Sequence, residues 1–303
     1  MNCLIVGYGS IGERHASILE ELEHVVHVVT QRNVRDIPCY KTIPEALSTS
    51  EFDYVIICNE TAKHFESFSR LRAIGYQGKT LIEKPLFHKT PELQGLDVSS
   101  TFVAYHLRFH PVILEILRLI NAKRILTIHV YVGQYLPDWR PGTCYSKSYS
   151  ASRKAGGGVL RDLSHELDYV TWFAGRWKRV AAIGSKVSDL CIDSDDVFSL
   201  LLETERCASV TMQMTYLDRS PRREIIINVD DGTLKADLFN NTLEINGKIS
   251  TIEVDRNKPY RDMHRAILTD DLKCPCSFSE GIEIVNLIEC AETAAKDRTW
   301  VYH

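Results

Sequence analysis

The chain has 303 residues, of which 44% are hydrophobic and 25% charged, and its formal net charge is −4 at pH 7. This length suits two domains, and the weakly acidic balance argues against a nucleic-acid surface, which needs concentrated Lys and Arg. No run of about 18 apolar residues occurs, so we expect no membrane span, and no signal peptide is expected because the first residues lack a basic segment. The nine cysteines show no spacing framework, which favours reduced thiols in a cytoplasmic protein and no metal site.

The first part of the chain alternates between short apolar runs and helical patterns. Strands are predicted at residues 2–6, 25–29, 54–58, 80–82 and 101–105, and helices at 11–22, 42–48, 62–73 and 111–120. The apolar runs are continuous, as in strands that are buried on both faces of a parallel sheet. Repetition of strand, helix and strand therefore predicts an α/β fold with a doubly wound parallel sheet over residues 1–120.

The remainder, residues 121–303, has longer strands that are often separated by turn signals. Strands are predicted at 124–132, 180–187, 197–202, 208–215, 224–229, 232–237 and 242–245, and helices at 158–173, 260–271 and 279–296. Asp230-Asp231-Gly232 and Asn240-Asn241-Thr242 are typical of hairpin connections. This pattern predicts a second, α+β domain with a mainly antiparallel open sheet covered by helices on one face.

A glycine motif follows the first strand, with the sequence Gly7-Tyr8-Gly9-Ser10-Ile11-Gly12. In a dinucleotide site, Gly7 permits the tight turn, Gly9 lets the backbone approach a pyrophosphate, and Gly12 lets the helix pack closely on the strand. Ser10 and Ile11 begin the helix whose N-terminus faces the phosphates. The position between a strand and a helix supports the dinucleotide interpretation.

The end of the second strand bears on the choice of nucleotide. An NAD site usually places an acid there, roughly twenty residues beyond the glycines, but this chain has Thr30-Gln31-Arg32-Asn33 and no acid until Asp36. Thr30 can donate a hydrogen bond to a 2′-phosphate and Arg32 can pair with it. The sequence therefore favours NADP(H) over NAD(H), with a solvated Arg32 that merely ends the strand as the alternative.

Further motifs follow the later strands. They are Cys58-Asn59-Glu60-Thr61-Ala62-Lys63-His64, Leu81-Ile82-Glu83-Lys84-Pro85-Leu86, Tyr105-His106-Leu107-Arg108-Phe109-His110-Pro111, and a glycine run that leads through Arg161-Asp162-Leu163-Ser164-His165 to Asp168. In this order, and over nearly the whole chain, the set resembles the Gfo/Idh/MocA family of oxidoreductases. The Glu-Lys-Pro element after a glycine-rich start is the most specific part of the resemblance.

The resemblance implies a Rossmann domain and an open-sheet domain, with nicotinamide and substrate meeting in the cleft between them. It implies a small carbohydrate-like substrate, such as a sugar, a sugar nucleotide or a cyclitol, whose ring hydroxyl is interconverted with a ketone by hydride exchange. It also implies a homodimer or homotetramer, as the open sheet does. Two alternatives remain, a nicotinamide-dependent glycosidase of the same fold and a non-catalytic NADP-binding sensor.

This chemistry requires a cation or donor that holds the reacting oxygen and a titratable group that passes its proton. Lys84 suits the first role because ligands collect at strand ends in open α/β sheets, and the family's lysine is similarly placed; Pro85 is expected to follow a cis peptide bond, as in the family. His165 is the candidate acid/base, with Asp162 on the same predicted helical face. Many family members separate these two positions by one residue more, so the proton acceptor is either Asp162 or His165.

Other candidate positions fall into two groups. Expected around the cofactor are Asn59, Thr61, His64 and Glu83, with packing inside a helix as the alternative for His64. Expected around the substrate are Arg108, Trp139, Arg140 and Tyr149, because aromatic rings and guanidinium groups suit sugar or anionic ligands. An alternative exists for each of these positions. Arg108 would then close a salt bridge, and the loop that contains Trp139 and Arg140 would form an oligomer contact.

Overall fold

The computed structural model describes residues 1–140 and 142–303. Its strands are β1 (Asn2–Val6), β2 (Val25–Val29), β3 (Cys39–Tyr40), β4 (Tyr54–Ile57), β5 (Lys79–Ile82), β6 (Thr101–Val103), β7 (Ile125–Gly133), β8 (Trp177–Ser185), β9 (Val197–Thr204), β10 (Val210–Thr215), β11 (Arg222–Val229), β12 (Gly232–Asp237), β13 (Thr242–Ile245), β14 (Lys248–Thr251), β15 (Cys276–Ser277) and β16 (Val301–Tyr302). Its α-helices are α1 (Ser10–Glu21), α2 (Ile43–Thr49), α3 (His64–Ala73), α4 (Pro111–Ile120), α5 (Val159–Asp162), α6 (His165–Ala174), α7 (Lys258–Leu268) and α8 (Phe278–Asp297). No helix in the described part of the chain has the length and apolar composition of a membrane span.

The first of two compact units comprises Met1–Phe109 and Arg256–Val285. Its sheet has the strand order β15-β6-β5-β4-β1-β2-β3, and all neighbouring pairs are parallel except β15 with β6. Strands β1, β4 and β5 are buried almost throughout because most of their side chains are apolar on both faces of the sheet. The predicted Rossmann-type sheet is confirmed, and the carboxyl ends of β1, β4 and β5 meet at one edge of it.

The second unit comprises His110–Asp255 and Asn286–His303. Its sheet has the order β14-β13-β12-β11-β7-β10-β9-β8-β16, and its neighbouring pairs are antiparallel apart from β7 with β10. Burial alternates along β9 and β10, as expected when only one face of a sheet is covered. The mainly antiparallel second sheet is therefore also confirmed.

The open face of the second sheet carries exposed apolar side chains. Ile183 is 80% exposed and Leu201 is 50% exposed, and the register of β8 with β9 puts both on the same face. Together with His129, Gln213 and Trp300 they line a groove of about 900 Å³. We call this surface the open groove.

The division of the chain differs from the single predicted boundary at residue 120. Helix α4 belongs to the second unit, where it contacts α6. Arg256–Val285 belongs to the first unit, because α7 packs against α1 and β15 pairs with β6. These contacts join residues that are far apart in sequence. The local pattern of apolar residues therefore cannot predict them.

Candidate functional site

The glycine turn between β1 and α1 has the geometry that the motif predicts. Gly7 has a φ of +100°, and a Cβ there would lie 2.6 Å from the Asn59 amide nitrogen. A Cβ on Gly12 would lie 2.2 Å from the Gly7 carbonyl oxygen, so neither position accepts a side chain. Gly9 differs, since its Cβ would meet nothing within 4 Å among residues 1–140 and 142–303. The protein itself leaves open the space beside Gly9, as close approach of a ligand to this backbone requires.

Thr30 and Arg32 both lie beside this turn. The Gly7 amide donates to the carbonyl of Val29, the last residue of β2. Arg32 Nη1 donates to the Tyr8 carbonyl at 3.0 Å and lies 3.8 Å from a Glu13 carboxylate oxygen. Thr30 Oγ1 accepts the Arg32 amide at 3.2 Å. The guanidinium is more than half exposed, yet it is held at the glycine turn and does not extend freely into solvent.

Asn59 follows β4 at the same edge of the sheet. Its Nδ2 donates to Ser67 Oγ at 2.8 Å, whereas its Oδ1 is buried and has no hydrogen-bond partner within the described residues. A buried amide oxygen in this position fits a ligand donor group, because an unsatisfied buried acceptor is costly. Thr61, which begins the next helical turn, is also buried.

The Glu-Lys-Pro motif directly follows β5. The Lys84–Pro85 peptide bond is cis, as expected from the resemblance. Because β5, β4 and β1 are parallel neighbours, Lys84 follows a strand at the edge that also carries Asn59 and the glycine turn. The Glu83 carboxylate has partners within the protein: Oε1 lies 3.0 Å from His15 Nε2, and Oε2 accepts the Lys84 amide at 3.1 Å. Its predicted contact with the cofactor therefore has to compete with these two bonds.

In the second unit, Asp162 and His165 do not share one regular helix. Helix α5 ends at Asp162 and α6 begins at His165, so the expectation of a common helical face is wrong. The chain leaves helical geometry at Leu163, where ψ is 24°. Both residues are buried, each with 4% exposure.

The Tyr216 phenol binds the Asp162 carboxylate, donating to Oδ2 at 2.6 Å. Burial and the Asp162 charge raise the pKa of Tyr216 and of Tyr149 well above its ordinary value, so both phenols keep their protons and Tyr216 acts as a donor. Asp162 is thereby fixed in place as a hydrogen-bond acceptor.

The predicted substrate residues Trp139 and Arg140 pack against the rings of Tyr216 and Tyr149. The Trp139 ring packs edge-on against Tyr216, with 5.1 Å between ring centroids, and its Nε1 donates to the Gln134 carbonyl. The Arg140 guanidinium lies 5.6 Å from the centroid of the Tyr149 ring. Trp139, Arg140 and Tyr149, predicted together as substrate residues, form one group with Asp162 and Tyr216, which we call the aromatic cluster.

Comparison with protein-family models decides the family. Residues 1–98 match the model of the oxidoreductase family with an NAD-binding Rossmann fold, and residues 113–235 match that of the GFO/IDH/MocA C-terminal domain. The chain belongs to the Gfo/Idh/MocA family of NAD(P)-dependent oxidoreductases. The resemblance inferred from the motifs is therefore confirmed. A search of curated proteins found no match.

Solved structures confirm the fold of this Gfo/Idh/MocA dehydrogenase over its whole length. Levoglucosan dehydrogenase in complex with NADH has a TM-score of 0.85 at 14% identity, covering 100% of this chain and 98% of that one. GenD2 from gentamicin A biosynthesis, in complex with NAD, has a TM-score of 0.84 at 20% identity, with coverages of 100% and 96%. The WlbA dehydrogenase from Bordetella pertussis, in complex with NADH and UDP-GlcNAcA, has a TM-score of 0.82 at 16% identity, with coverages of 100% and 97%.

Two predicted site residues of the dehydrogenase have structural partners that match the alternatives left open by the sequence. His64 is buried, with Nδ1 3.2 Å from the carbonyl oxygens of Pro85 and Leu86 and Nε2 3.1 Å from that of Asn59. Burial lowers its pKa, and the ring joins the loops after β4 and β5. Arg108 is 2% exposed, and its Nη1 lies 2.9 Å from Glu280 Oε1, which is the salt bridge of the alternative interpretation.

Sequence reasoning missed Tyr216, whose hydroxyl donates to Asp162 Oδ2 at 2.6 Å. One signal was available, because Tyr216 directly follows the predicted strand 208–215 and polar groups at strand ends are common site residues. Nothing in the sequence indicated that this strand is the parallel neighbour of β7. That pairing is a feature of the tertiary structure, and so is the packing of Tyr216 against Trp139, which lies after the end of β7.

Proposed function

We propose that this enzyme is an NADP(H)-preferring oxidoreductase that interconverts a ring hydroxyl and a ketone on a sugar, a sugar nucleotide or a cyclitol. The main support is the position of Lys84 at the end of β5, on the sheet edge that also carries the Gly7–Gly12 turn. Relatives of the same fold include a levoglucosan dehydrogenase and a dehydrogenase in complex with NADH and UDP-GlcNAcA.

The dinucleotide is held by the glycine turn, by the amides of Ser10 and Ile11, and by the orphaned Oδ1 of Asn59. The space beside Gly9 and this buried acceptor both fit such a ligand. Arg32 and Thr30 favour a 2′-phosphate, because a guanidinium pairs with phosphate and no acidic residue follows β2 before Asp36. Relatives with NAD or NADH carry the other form, so the preference is a property to be tested.

When bound, the nicotinamide supplies or accepts the hydride. Lys84 holds the reacting oxygen through its ammonium group, which stabilises negative charge on that oxygen. His165 takes or returns the hydroxyl proton, since the Asp162 carboxylate already accepts a short hydrogen bond from the Tyr216 phenol. Asp162 then contributes a negative charge that is held in one fixed orientation. The aromatic cluster binds the sugar by stacking and by polar contacts.

The open groove supports assembly of identical chains into a homodimer or homotetramer. An exposed apolar surface of this kind on a sheet is typical of a protein–protein contact. Ile183 and Leu201 would be covered by the same surface of a second chain, as in an isologous interface.

Mass spectrometry of small molecules that copurify with the enzyme, followed by a screen of sugars and sugar nucleotides with NADP⁺ and NADPH, tests the reaction. In the enzyme with an active substrate, Lys84→Met should lower kcat/KM by about 10²–10³-fold and leave NADPH affinity within a few-fold. Lys89→Met, which alters an exposed lysine nearby, is the control and should retain activity. Comparable activity in Lys84→Met would remove Lys84 from the mechanism.

The cofactor preference is tested separately by titration with NADPH and NADH. Arg32→Ala should weaken NADPH about tenfold or more, because a charge-assisted pair is lost, and change NADH binding little. Arg70→Ala alters an exposed arginine on α3 and should change neither. Equal losses for the two nucleotides in Arg32→Ala would overturn the phosphate assignment.

A further inference from the structure

Four buried side chains of the first unit form a continuous chain of hydrogen bonds that ends at Lys84. Tyr54 OH lies 3.2 Å from His264 Nδ1, and His264 Nε2 lies 2.9 Å from His15 Nδ1. His15 Nε2 lies 3.0 Å from Glu83 Oε1, and Glu83 Oε2 accepts the Lys84 amide at 3.1 Å. Tyr54, His15 and His264 are each 0% exposed, and Glu83 is 7% exposed. We call this arrangement the buried relay.

Stability alone does not account for so many polar groups in the core. Removing imidazole, phenol and carboxylate groups from water is costly, and apolar residues of similar shape are often equally or more stabilising. A fully connected polar network instead specifies one arrangement of the groups it joins. The relay joins α1, which begins in the glycine turn, to the residue before Lys84, and it does so through α7 and β4.

The surroundings order the protons along the relay. Burial raises the pKa of Tyr54 well above its ordinary value, so Tyr54 keeps its proton and donates to His264 Nδ1. Burial lowers the pKa of His264 well below its ordinary value, so this ring is neutral, and its hydrogen is on Nε2 because Nδ1 accepts from Tyr54. That hydrogen is donated to His15 Nδ1, which leaves the His15 hydrogen on Nε2 and directed at Glu83. Each bond therefore determines the direction of the next.

We propose that Tyr54, His264 and His15 are positioning residues for Lys84, acting by fixing two histidine tautomers so that Glu83 remains a hydrogen-bond acceptor that holds the Lys84 main chain. The relay ends at the fully buried Tyr54, so it has no exit for a proton at that end and acts on geometry. This inference rests on the proposed role of Lys84 in the reaction. The order of the protons is independent of that role and can be measured without turnover.

Tyr54→Phe is the first test, because it removes one oxygen from the far end of the relay. With the enzyme's active substrate, kcat should fall about tenfold, corresponding to one lost hydrogen bond, while NADPH affinity stays within a few-fold. Tyr76→Phe removes another phenol of the same unit, which donates to the Lys79 carbonyl at 3.1 Å and has no link to Glu83. It should leave kcat unchanged. A kcat in Tyr54→Phe equal to that of the wild type would overturn the positioning role.

His264 offers a rescue experiment. In His264→Gln the side-chain amide can still donate to His15 Nδ1, whereas His264→Leu has no donor. We expect His264→Gln to keep kcat within a few-fold of the wild type. In His264→Leu, kcat calculated per folded molecule should fall about tenfold or more. Equal losses in the two variants would show that the hydrogen bond to His15 is not what matters, and would overturn the proposal. If His264→Leu does not fold, kcat of His264→Gln is compared with kcat of Tyr54→Phe. A retained kcat in the first and a reduced kcat in the second support the proposal, and equal losses overturn it.

Nuclear magnetic resonance of ¹⁵N-histidine-labelled protein gives a readout that a purely structural role would not move. His15 and His264 should both carry a hydrogen on Nε2 and accept at Nδ1 in the wild type and in Lys84→Met, and the tautomer populations should change in Tyr54→Phe but not in Tyr76→Phe. A hydrogen on His15 Nδ1, or tautomers unaffected by Tyr54→Phe, would refute the relay itself. Retained activity of Lys84→Met beside the expected tautomers would instead refute the proposed function and leave the proton order intact.

Discussion

The hydrogen bond from Tyr216 to Asp162 gives a sharp test of how the aromatic cluster is held. Tyr216→Phe deletes one oxygen and leaves the ring in its packing against Trp139. The deleted bond is 2.6 Å long, connects a fully buried phenol to a buried carboxylate, and belongs to the class of hydrogen bonds to charged groups. Such bonds contribute about 1.5–3 kcal/mol. The free energy of unfolding should fall by that amount in urea titrations.

Activity should decline together with stability if Asp162 has to be fixed for the reaction. A loss of about 1.5–3 kcal/mol in the transition state corresponds to a decrease in kcat/KM of roughly ten- to a hundredfold, which is the upper bound for this substitution. A decrease in kcat/KM much smaller than the loss of stability would show that the reaction does not depend on how Asp162 is held.

Tyr169→Phe is the matched control for this prediction. Tyr169 is also fully buried and also faces a buried carboxylate, but its hydroxyl lies 3.4 Å from Glu166 Oε1. Because that contact is long, its removal should cost less than about 1 kcal/mol. Equal destabilisation by the two substitutions, or none by Tyr216→Phe, would refute the reasoning that the short bond to Asp162 is the stronger one.

Three further predictions concern other parts of the molecule. Gly9→Ala should unfold at the same temperature as the wild type, because its Cβ meets no atom of the described residues within 4 Å. It should nevertheless weaken NADPH binding about tenfold or more in fluorescence titrations. An unchanged NADPH affinity would contradict the role of Gly9. Burial lowers the pKa of His110 to about 4 from 6.5, so the unfolded chain takes up a proton that the folded one refuses, and stability should fall by up to about 3 kcal/mol as the pH decreases from 6.5 towards 4. His110→Asn, which can still cap α4, should lose that part of the pH dependence in urea titrations, and an unchanged pH profile would count against it. Ile183→Lys should shift the protein to a smaller oligomer in size-exclusion chromatography with light scattering, whereas Phe239→Lys, at another exposed apolar residue, should not; identical behaviour of the two variants would argue against the open groove as an interface.

Those features that depend on neighbouring residues could be predicted from the sequence. Continuous apolar runs indicated the parallel strands, and the Gly7–Gly12 spacing indicated the turn whose close contacts the structure contains. The strands of the second unit followed from alternation and turn signals. In each case the physical cause, burial of one or two faces or the space for a backbone turn, acts within a few residues.

Features that depend on distant residues could not be predicted in this way. The break between α5 and α6 falls at Leu163 and Ser164, neither of which interrupts a helix by itself. The partner of Arg108 is 172 residues away, and His15 and His264 are 249 residues apart. Such pairs arise when the chain folds back on itself, and no local propensity encodes them.

The return of Arg256–Val285 to the first unit has a consequence for biosynthesis. When the ribosome has released only the first hundred or so residues, α7 has not yet been translated, and the nascent nucleotide-binding sheet still lacks the helix that packs against α1. His15 and Tyr54 then have no His264 to bind, because that residue is translated about two hundred residues after Tyr54. The nucleotide-binding sheet is therefore completed only after the whole of the second unit's stretch His110–Asp255 has been made.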